Sequence, residues 1–317
     1  MPSQAPAAPS LAQPVYQPGP LAPPPRHTLP WWRRFERRSY LSLVKRVASL
    51  RARRLAERIP LLSIASRRLF RRVDRLEVTV CGAPFRLDVM RRSVSRSVFL
   101  GGRWHSPVVA MLREHVKPGM TVVDVGANVG FMSAHMGDRA GPDGTVLSFE
   151  PEPRNFAILA LNARRSRYRN IVPIHAAVGA KVGTARLYLS PSDGGDHRTI
   201  PGGDGRSSID VDLVSIDAVA EMRRTEIHFA KLDIQGAEGE ALRGMKATLR
   251  SPAFRGMVVE FWRDALRRAG EDPRAILDAI AAGGLRCVSH PGLDADPEGF
   301  LAGTAEHGSQ DLLFLRP

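Results

Sequence analysis

The sequence predicts an α/β protein built on a doubly wound, mostly parallel sheet of seven strands, preceded by a β-hairpin and a basic helical extension. Three observations predict it. Short apolar runs alternate with helix-period stretches through residues 76–317, the order that gives a parallel sheet covered on both faces. The segment V-V-D-V-G-A-N-V-G at 122–130 reads as a buried strand ending in a carboxylate, a tight glycine turn and a helix start. The run V-L-S-F-E at 146–150 is a second such strand, also ending in an acid.

In order, residues 1–30 hold ten prolines among Ala, Gln and Ser, too little apolar side chain to offset the entropy of ordering, so a disordered tail is expected. Residues 31–75 turn helical, with Leu43, Val47 and Leu50, then Leu55, Ile59 and Leu62, near a 3.6 period and arginines between them; Pro60 should kink that helix. Residues 76–90 alternate around Gly82 as a hairpin. Strands are then expected near 121–126, 146–150, 171–178, 228–233, 257–262, 285–290 and 311–316. Helices are expected near 131–140, 152–166, 237–250 and 272–282. Between the third and fourth strands an insertion, about 183–217, carries two alternating runs joined by a glycine-rich, polar stretch from Ser190 to Arg206. A connector of that length is rarely passive. It suits a substrate lid, with His197 and Arg198 facing an acceptor, although a solvated loop has the same composition.

The net charge of +14 is not spread over the chain: residues 26–75 carry 16 Lys/Arg against 3 Asp/Glu, and residues 76–317 carry 30 against 29. A nucleic-acid enzyme would carry a basic stripe on its catalytic domain too, so nucleic acid is not the expected partner. The basic arm, with Trp31 and Trp32 at its edge, suits a packed helical cap, an anionic membrane surface, nucleic acid or a plain solvated helix. The membrane is preferred to nucleic acid because the basic face alternates with Leu, Val and Ile and offers few aromatics for base stacking. Cys81 and Cys287 lie far apart without metal-type spacing, which argues against a disulfide framework or zinc and for a reducing cytoplasm. No run approaches 18 apolar residues and the N-terminus lacks a signal-peptide pattern. The expected location is cytoplasmic, with peripheral contact at the inner face of the membrane as an option.

The glycine turn also limits the ligand. A dinucleotide fingerprint would need glycines where this chain has Gly126, Asn128 and Phe131, so a pyrophosphate cradle is not expected. Acids at neighbouring strand tips, Asp124 and Glu150, suit a cationic ligand that bears a ribose and no phosphate. One meets an ammonium group and the other accepts from the ribose hydroxyls. Asp124 as a mere cap of the following helix is the alternative.

These residues resemble the FkbM family of methyltransferases dependent on S-adenosylmethionine (SAM), members of the class I, Rossmann-like methyltransferases. The resemblance covers about 76–317 and rests on the 122–130 segment, S-F-E-P-E-P-R-N-F at 148–156, A-A-V-G at 176–179, K-L-D-I-Q-G-A-E at 231–238 and V-V-E-F at 258–261. It implies the class I sheet with a terminal hairpin from the last two strands, SAM as cofactor, and a hydroxyl acceptor on a sugar, glycan or other metabolite. The alternatives to an active enzyme on small acceptors are an RNA-directed methyltransferase that uses the basic arm and an inactive SAM-binding scaffold. Asp124, Gly126, Asn128 and Gly130 would form the turn beside the methionine portion, with Asn128 taking an unusual backbone angle. Glu150 would hold the ribose, and Ala177 and Val178 would border the adenine. Phe149 and Phe156 are read as core.

Methyl transfer to oxygen needs aligned reactants and a group that removes the hydroxyl proton. Asp233, at the tip of the fourth strand, is the first choice, with Lys231 on the same sheet face and Glu238 at the next helix start, where a carboxylate also favours the positive helix terminus. The family usually has an acid where this chain has Gln235. Glu260, beside Trp262, is a further acidic candidate; it could ligate Mg²⁺ with Asp233, but carboxylates at strand tips are no coordination signature, and a metal is not favoured.

Overall fold

The computed structural model describes residues 77–87, 106–190, 195–200, 205–303 and 308–317. The expected tail over 1–30 and basic helix over 31–75 lie outside the described residues. Strands β1 (Glu77–Val80) and β2 (Ala83–Arg86) form the expected hairpin. Its two-residue turn, Cys81 and Gly82, has φ of 48° and 77°, the left-handed geometry that twisted hairpins require.

Helix α1 (Ser106–His115) leads into β3 (Thr121–Val125), α2 (Phe131–Ala140), β4 (Thr145–Phe149), α3 (Pro153–Arg165) and β5 (Ile171–Ile174). The chain then builds a small sheet from β6 (Ala177–Val178), β7 (Gly183–Tyr188) and β8 (Ser208–Val214), and returns through α4 (Ile216–Arg223) to β9 (Phe229–Leu232). After α5 (Glu238–Arg243) and α6 (Lys246–Arg250) come β10 (Gly256–Phe261), α7 (Arg263–Arg268), α8 (Pro273–Ala282), β11 (Arg286–Cys287), α9 (Pro297–Gly303) and β12 (Gln310–Leu315).

The large sheet has the order β11-β12-β10-β9-β3-β4-β5. Pairs from β10 to β5 are parallel, and β12 runs antiparallel to both its neighbours as the expected terminal hairpin. From β3 the chain winds outward to β5 and then back to β9 on the other side, so the topological switch point lies between β3 and β9. In such sheets a ligand crevice opens there, beyond the carboxyl ends of the strands.

Each face of the sheet buries its own core. Val123, Val125, Leu147, Ala230, Leu232, Val259 and Phe261 pack on one side. Val122, Val146, Phe229, Val258 and Leu313 pack on the other, against α1, α2 and the hairpin. The hairpin is tied to α3 by Asn162, whose Oδ1 accepts from the Arg86 N–H (2.7 Å) and whose Nδ2 donates to the Arg86 and Val129 carbonyls.

Two expected elements are divided. The run 171–178 belongs to two sheets: β5 ends the large one, and Ala177 and Val178 pair in parallel with Leu213 and Val214 in the small one. Pro173 within β5 is tolerated because β5 is an edge strand. The helical run 237–250 breaks at Gly244, where the backbone comes so close that a Cβ would lie 2.0 Å from the Gly179 carbonyl oxygen. The insertion over 183–217 forms the antiparallel β7–β8 pair and the start of α4. Between β7 and β8, Tyr188 and Arg198 exchange backbone hydrogen bonds of 2.7 and 3.1 Å and fold the polar stretch back onto the hairpin. Among the described residues no helix is long and apolar enough to cross a membrane.

Candidate functional site

Strand register gathers the acids. Side chains of partnered residues share a face, and faces alternate along a strand with period two. Asp124 is partnered with Lys231 on β9 and with Ser148 on β4, and Lys231 is partnered with Val258 on β10. Two residues further along each strand, Glu150, Asp233 and Glu260 fall on the same face and at the same carboxyl end. The opposite face is apolar to its tip at Val125, Phe149, Leu232 and Phe261.

The turn after β3 is shaped by two glycines. Gly126 has φ of 78°, and a Cβ there would meet the Asp233 carbonyl oxygen at 2.0 Å. Gly130 has φ of 87°, and its Cβ would meet Leu159 Cδ1 at 2.7 Å. Asn128 takes the unusual angle expected of it, φ 52°. Its N–H donates to Glu150 Oε2 (2.8 Å), and the Glu152 N–H donates to Glu150 Oε1 (2.9 Å). The Asn155 side chain also hydrogen-bonds this carboxylate, and with about four lone-pair sites on its two oxygens it keeps capacity for a ribose hydroxyl. Burial pushes the Glu150 carboxyl up to about 7 against the backbone N–H groups that lower it.

Asp124 does not cap the next helix, whose N-cap is Gly130 with no side-chain hydrogen bond. Its carboxylate, 0% exposed, accepts from Ser133 Oγ at 2.5 Å, and Ser133 accepts in turn from Ser148 Oγ at 2.9 Å. The other oxygen, Oδ1, has no hydrogen-bond partner and lies 3.6 Å from Lys231 Nζ. Such an under-satisfied buried acceptor fits a cationic ligand or tethered cation nearby.

Lys231 Nζ stands 3.1 Å from Asp233 Oδ2 and donates to the Gly126 carbonyl at 3.5 Å. Burial works against its ammonium, but the carboxylates of Asp233 and Asp124 outweigh it and raise the pKa, so the charge stays. Asp233 is opposed by burial as well, and Lys231 holds its carboxyl below the usual range. Its side chain is 35% exposed where that of Lys231 is 7% exposed, which makes it the member of this row that meets the crevice.

Glu238 works on the loop. Its carboxylate accepts from the Ile234 and Gly236 N–H groups, each at 3.0 Å, and holds the turn behind Asp233. Burial pushes it up to about 7. Gln235 Nε2 donates to Asp233 Oδ1 (3.1 Å) and Glu260 Oε2 (2.7 Å), so N–H groups lie between the two carboxyls that a metal would need. Among the described residues no group of three or more metal-type side chains gathers.

The insertion meets the crevice rim through Arg198, whose guanidinium lies 5.8 Å from the ring centre of Trp262, just past Glu260. Asp196 fixes Arg198 and Arg206 with contacts of 2.5 and 2.7 Å. His197 accepts from the Ser190 N–H at 3.0 Å within the insertion. Ala177 and Val178 are buried in the small sheet and its adjoining core. Phe149 is core, and Phe156 stacks on His175 at 4.4 Å. Sequence reasoning missed Ser133 and Ser148 as partners of Asp124. Ser148 was visible as the polar residue two before Glu150, whereas Ser133 had no signal.

The family profile described as "Methyltransferase FkbM domain" matches residues 124–287, just over half of the chain. Comparison with curated proteins gives no match. Among solved structures, the fibrillarin of Aeropyrum pernix in complex with natively bound S-adenosyl-L-methionine is similar, with 19% identity, 57% of this chain and 65% of that chain covered, and a TM-score of 0.36. The chain thus spans less than two thirds of that protein's length. An rRNA methylase of Streptococcus thermophilus (9% identity, 68% and 96% covered, TM-score 0.40) and an O-methyltransferase of Bacillus cereus in complex with SAH (10%, 68% and 82%, 0.37) are also similar.

Proposed function

Because the chain belongs to the FkbM methyltransferase family and is a SAM-dependent methyltransferase, we propose that its acceptor is a hydroxyl group of a sugar, glycan or other metabolite. The observation that carries this reading is the Asp233 carboxylate, about one third exposed, beside a buried Lys231 whose ammonium is favoured by its carboxylate neighbours. A carboxylate accepts the hydrogen of an approaching hydroxyl, and Lys231 fixes the oxygen that does not.

When bound, SAM would supply an activated methyl group for transfer to the acceptor oxygen. The proton leaving the acceptor oxygen passes to Asp233. A carboxylate of lowered basicity suffices, because an oxygen that is gaining a methyl group becomes strongly acidic. Glu150 would accept from the ribose hydroxyls, and Gly126 and Asn128 would shape the floor beneath the methionine portion. Asp124 acts through Lys231 rather than on the acceptor. Arg198 and Trp262 form the rim under which the acceptor enters.

The test is methyl transfer from labelled SAM to a panel of sugars and glycans, with Asp233→Asn as control. Transfer to a hydroxyl that the variant fails to support is the expected result. Transfer to nitrogen or carbon alone would overturn the acceptor class.

A further inference from the structure

We propose that Gln235, Asp233 and Glu260 form one proton-holding unit, in which the Gln235 amide bridges two carboxyl groups that share a single proton, leaving Glu260 protonated and Asp233 ionised toward the crevice. Gln235 is then a positioning residue for the reaction. The proposal rests on the reading of Asp233 as the acceptor-facing carboxylate only for its consequence in catalysis.

One amide nitrogen donates at 3.1 Å to Asp233 Oδ1 and at 2.7 Å to Glu260 Oε2. The bridge thus holds an oxygen of each carboxyl group within hydrogen-bond reach of one nitrogen. Two carboxylates so close cannot both stay ionised without a compensating charge. That charge is one-sided: Lys231 is 3.1 Å from Asp233 Oδ2. Asp124 on β3 takes the other side of Lys231. Glu238 on α5 adds negative charge near Glu260, and Asp311 lies opposite Glu260 on β12. Ser309 hydrogen-bonds Glu260 and is the neutral group on that side. Negative neighbours thus crowd Glu260 and a cation attends Asp233, which puts the proton on Glu260; burial pushes its carboxyl in the same direction.

The backbone is built for the bridge. Gln235 takes φ of 57°, in the left-handed region that non-glycine residues enter at a cost. Gly236 follows at φ 108°, with a Cβ position only 2.7 Å from the Ala265 carbonyl oxygen, and the turn is pinned by Glu238. An acid at 235 would set a third negative charge between two others. An amide instead offers two N–H groups, one for each carboxyl.

The test is infrared spectroscopy of the full chain with S-adenosylhomocysteine and no acceptor, so that failure of the pair and failure of the acceptor reading are separable. At about pH 8.5, Glu150 and Glu238 are ionised and should not contribute. A protonated-carboxyl carbonyl band should remain in the wild type and vanish in Glu260→Gln. Gln235→Gly keeps the left-handed turn at no steric cost and removes the amide N–H groups that favour the ionised carboxyls, so its band should persist to higher pH; Gln235→Asn, too short to bridge, should behave likewise. Persistence of the band in Glu260→Gln, its absence from the wild type, or a Gln235→Gly titration identical to the wild type would each overturn the proposal. Once an acceptor is in hand, the acid limb of the kcat profile should shift in Gln235→Gly with little change in KM for SAM.

Discussion

Gly126 lies directly beneath Asp233: the Cβ that any other residue would bring stands 2.0 Å from the Asp233 carbonyl oxygen, and φ at Gly126 is 78°. The turn after β3 and the tip of β9 are thereby in backbone contact across the switch point. Gly126→Ala should therefore move Asp233 as well as strain the turn. We expect a loss of roughly 2–4 kcal/mol, read as a fall in Tm of about 5–15 °C. A melting curve within a degree or two of wild type would show that the two strand tips are not locked together.

Glu150 should dominate SAM affinity. Glu150→Gln keeps the shape but replaces a charged acceptor, with one oxygen now an N–H₂ donor facing the Asn128 or Glu152 N–H. Loss of hydrogen bonds to a charged group, about 1.5–3 kcal/mol, predicts roughly 10- to 150-fold weaker binding of S-adenosylhomocysteine. Calorimetric titration checks it.

Asp233→Asn should separate binding from chemistry. Methyl transfer should fall by roughly 10²-fold or more, while affinity for S-adenosylhomocysteine stays within a few-fold. A parallel loss of both would reassign Asp233 to holding the crevice together through Lys231.

Stability should depend on pH between about 4.5 and 7. Burial raises Glu150 and Glu238 from 4.5 to about 7 in the folded chain. The folded state then binds protons that the unfolded chain has released. Their contribution is fully present below pH 4.5 and is lost as pH rises to about 7. The Tm of the ligand-free protein should accordingly be higher, for these groups, at the acid end of that window. S-adenosylhomocysteine should restore stability most at pH 7 and above, because its ribose hydroxyls need the ionised Glu150. Melting curves at several pH values, with and without ligand, and with Glu150→Gln as control, test the sign.

Asp196→Asn should loosen the insertion without unfolding the domain. Asp196 holds both Arg198 and Arg206, and the loss of such partly exposed pairs costs little, about 1 kcal/mol each at most. Faster hydrogen exchange at 195–200 with a nearly unchanged Tm is the expected outcome. An unchanged exchange rate would mean that the Tyr188–Arg198 backbone pair suffices.

By itself the sequence determined the parallel sheet, the hairpin at 77–86 and the identity of the strand-tip acids, because those features are written in local patterns. Period-two alternation, a glycine turn after an acid and apolar runs of strand length do not depend on what the chain packs against. Each of the seven strands of the large sheet overlaps an expected run, although β5 takes only the first half of 171–178 and β11 only Arg286–Cys287, and Gly126, Asn128 and Gly130 take the backbone angles their positions implied. Tertiary structure alone decided how the acids divide the work. Asp124 proved wholly buried and bound to Ser133 and Lys231, Glu238 a clamp on the turn, and Gln235 a bridge from Asp233 to Glu260. Tertiary structure also split residues 171–178 between two sheets. None of this is local. Ser133 meets Asp124 because α2 folds back over β3, and Gln235 meets Glu260, 25 positions further along the chain. A side chain's proton and partner depend on charges and burial supplied by distant segments, so they take form only when the strands assemble.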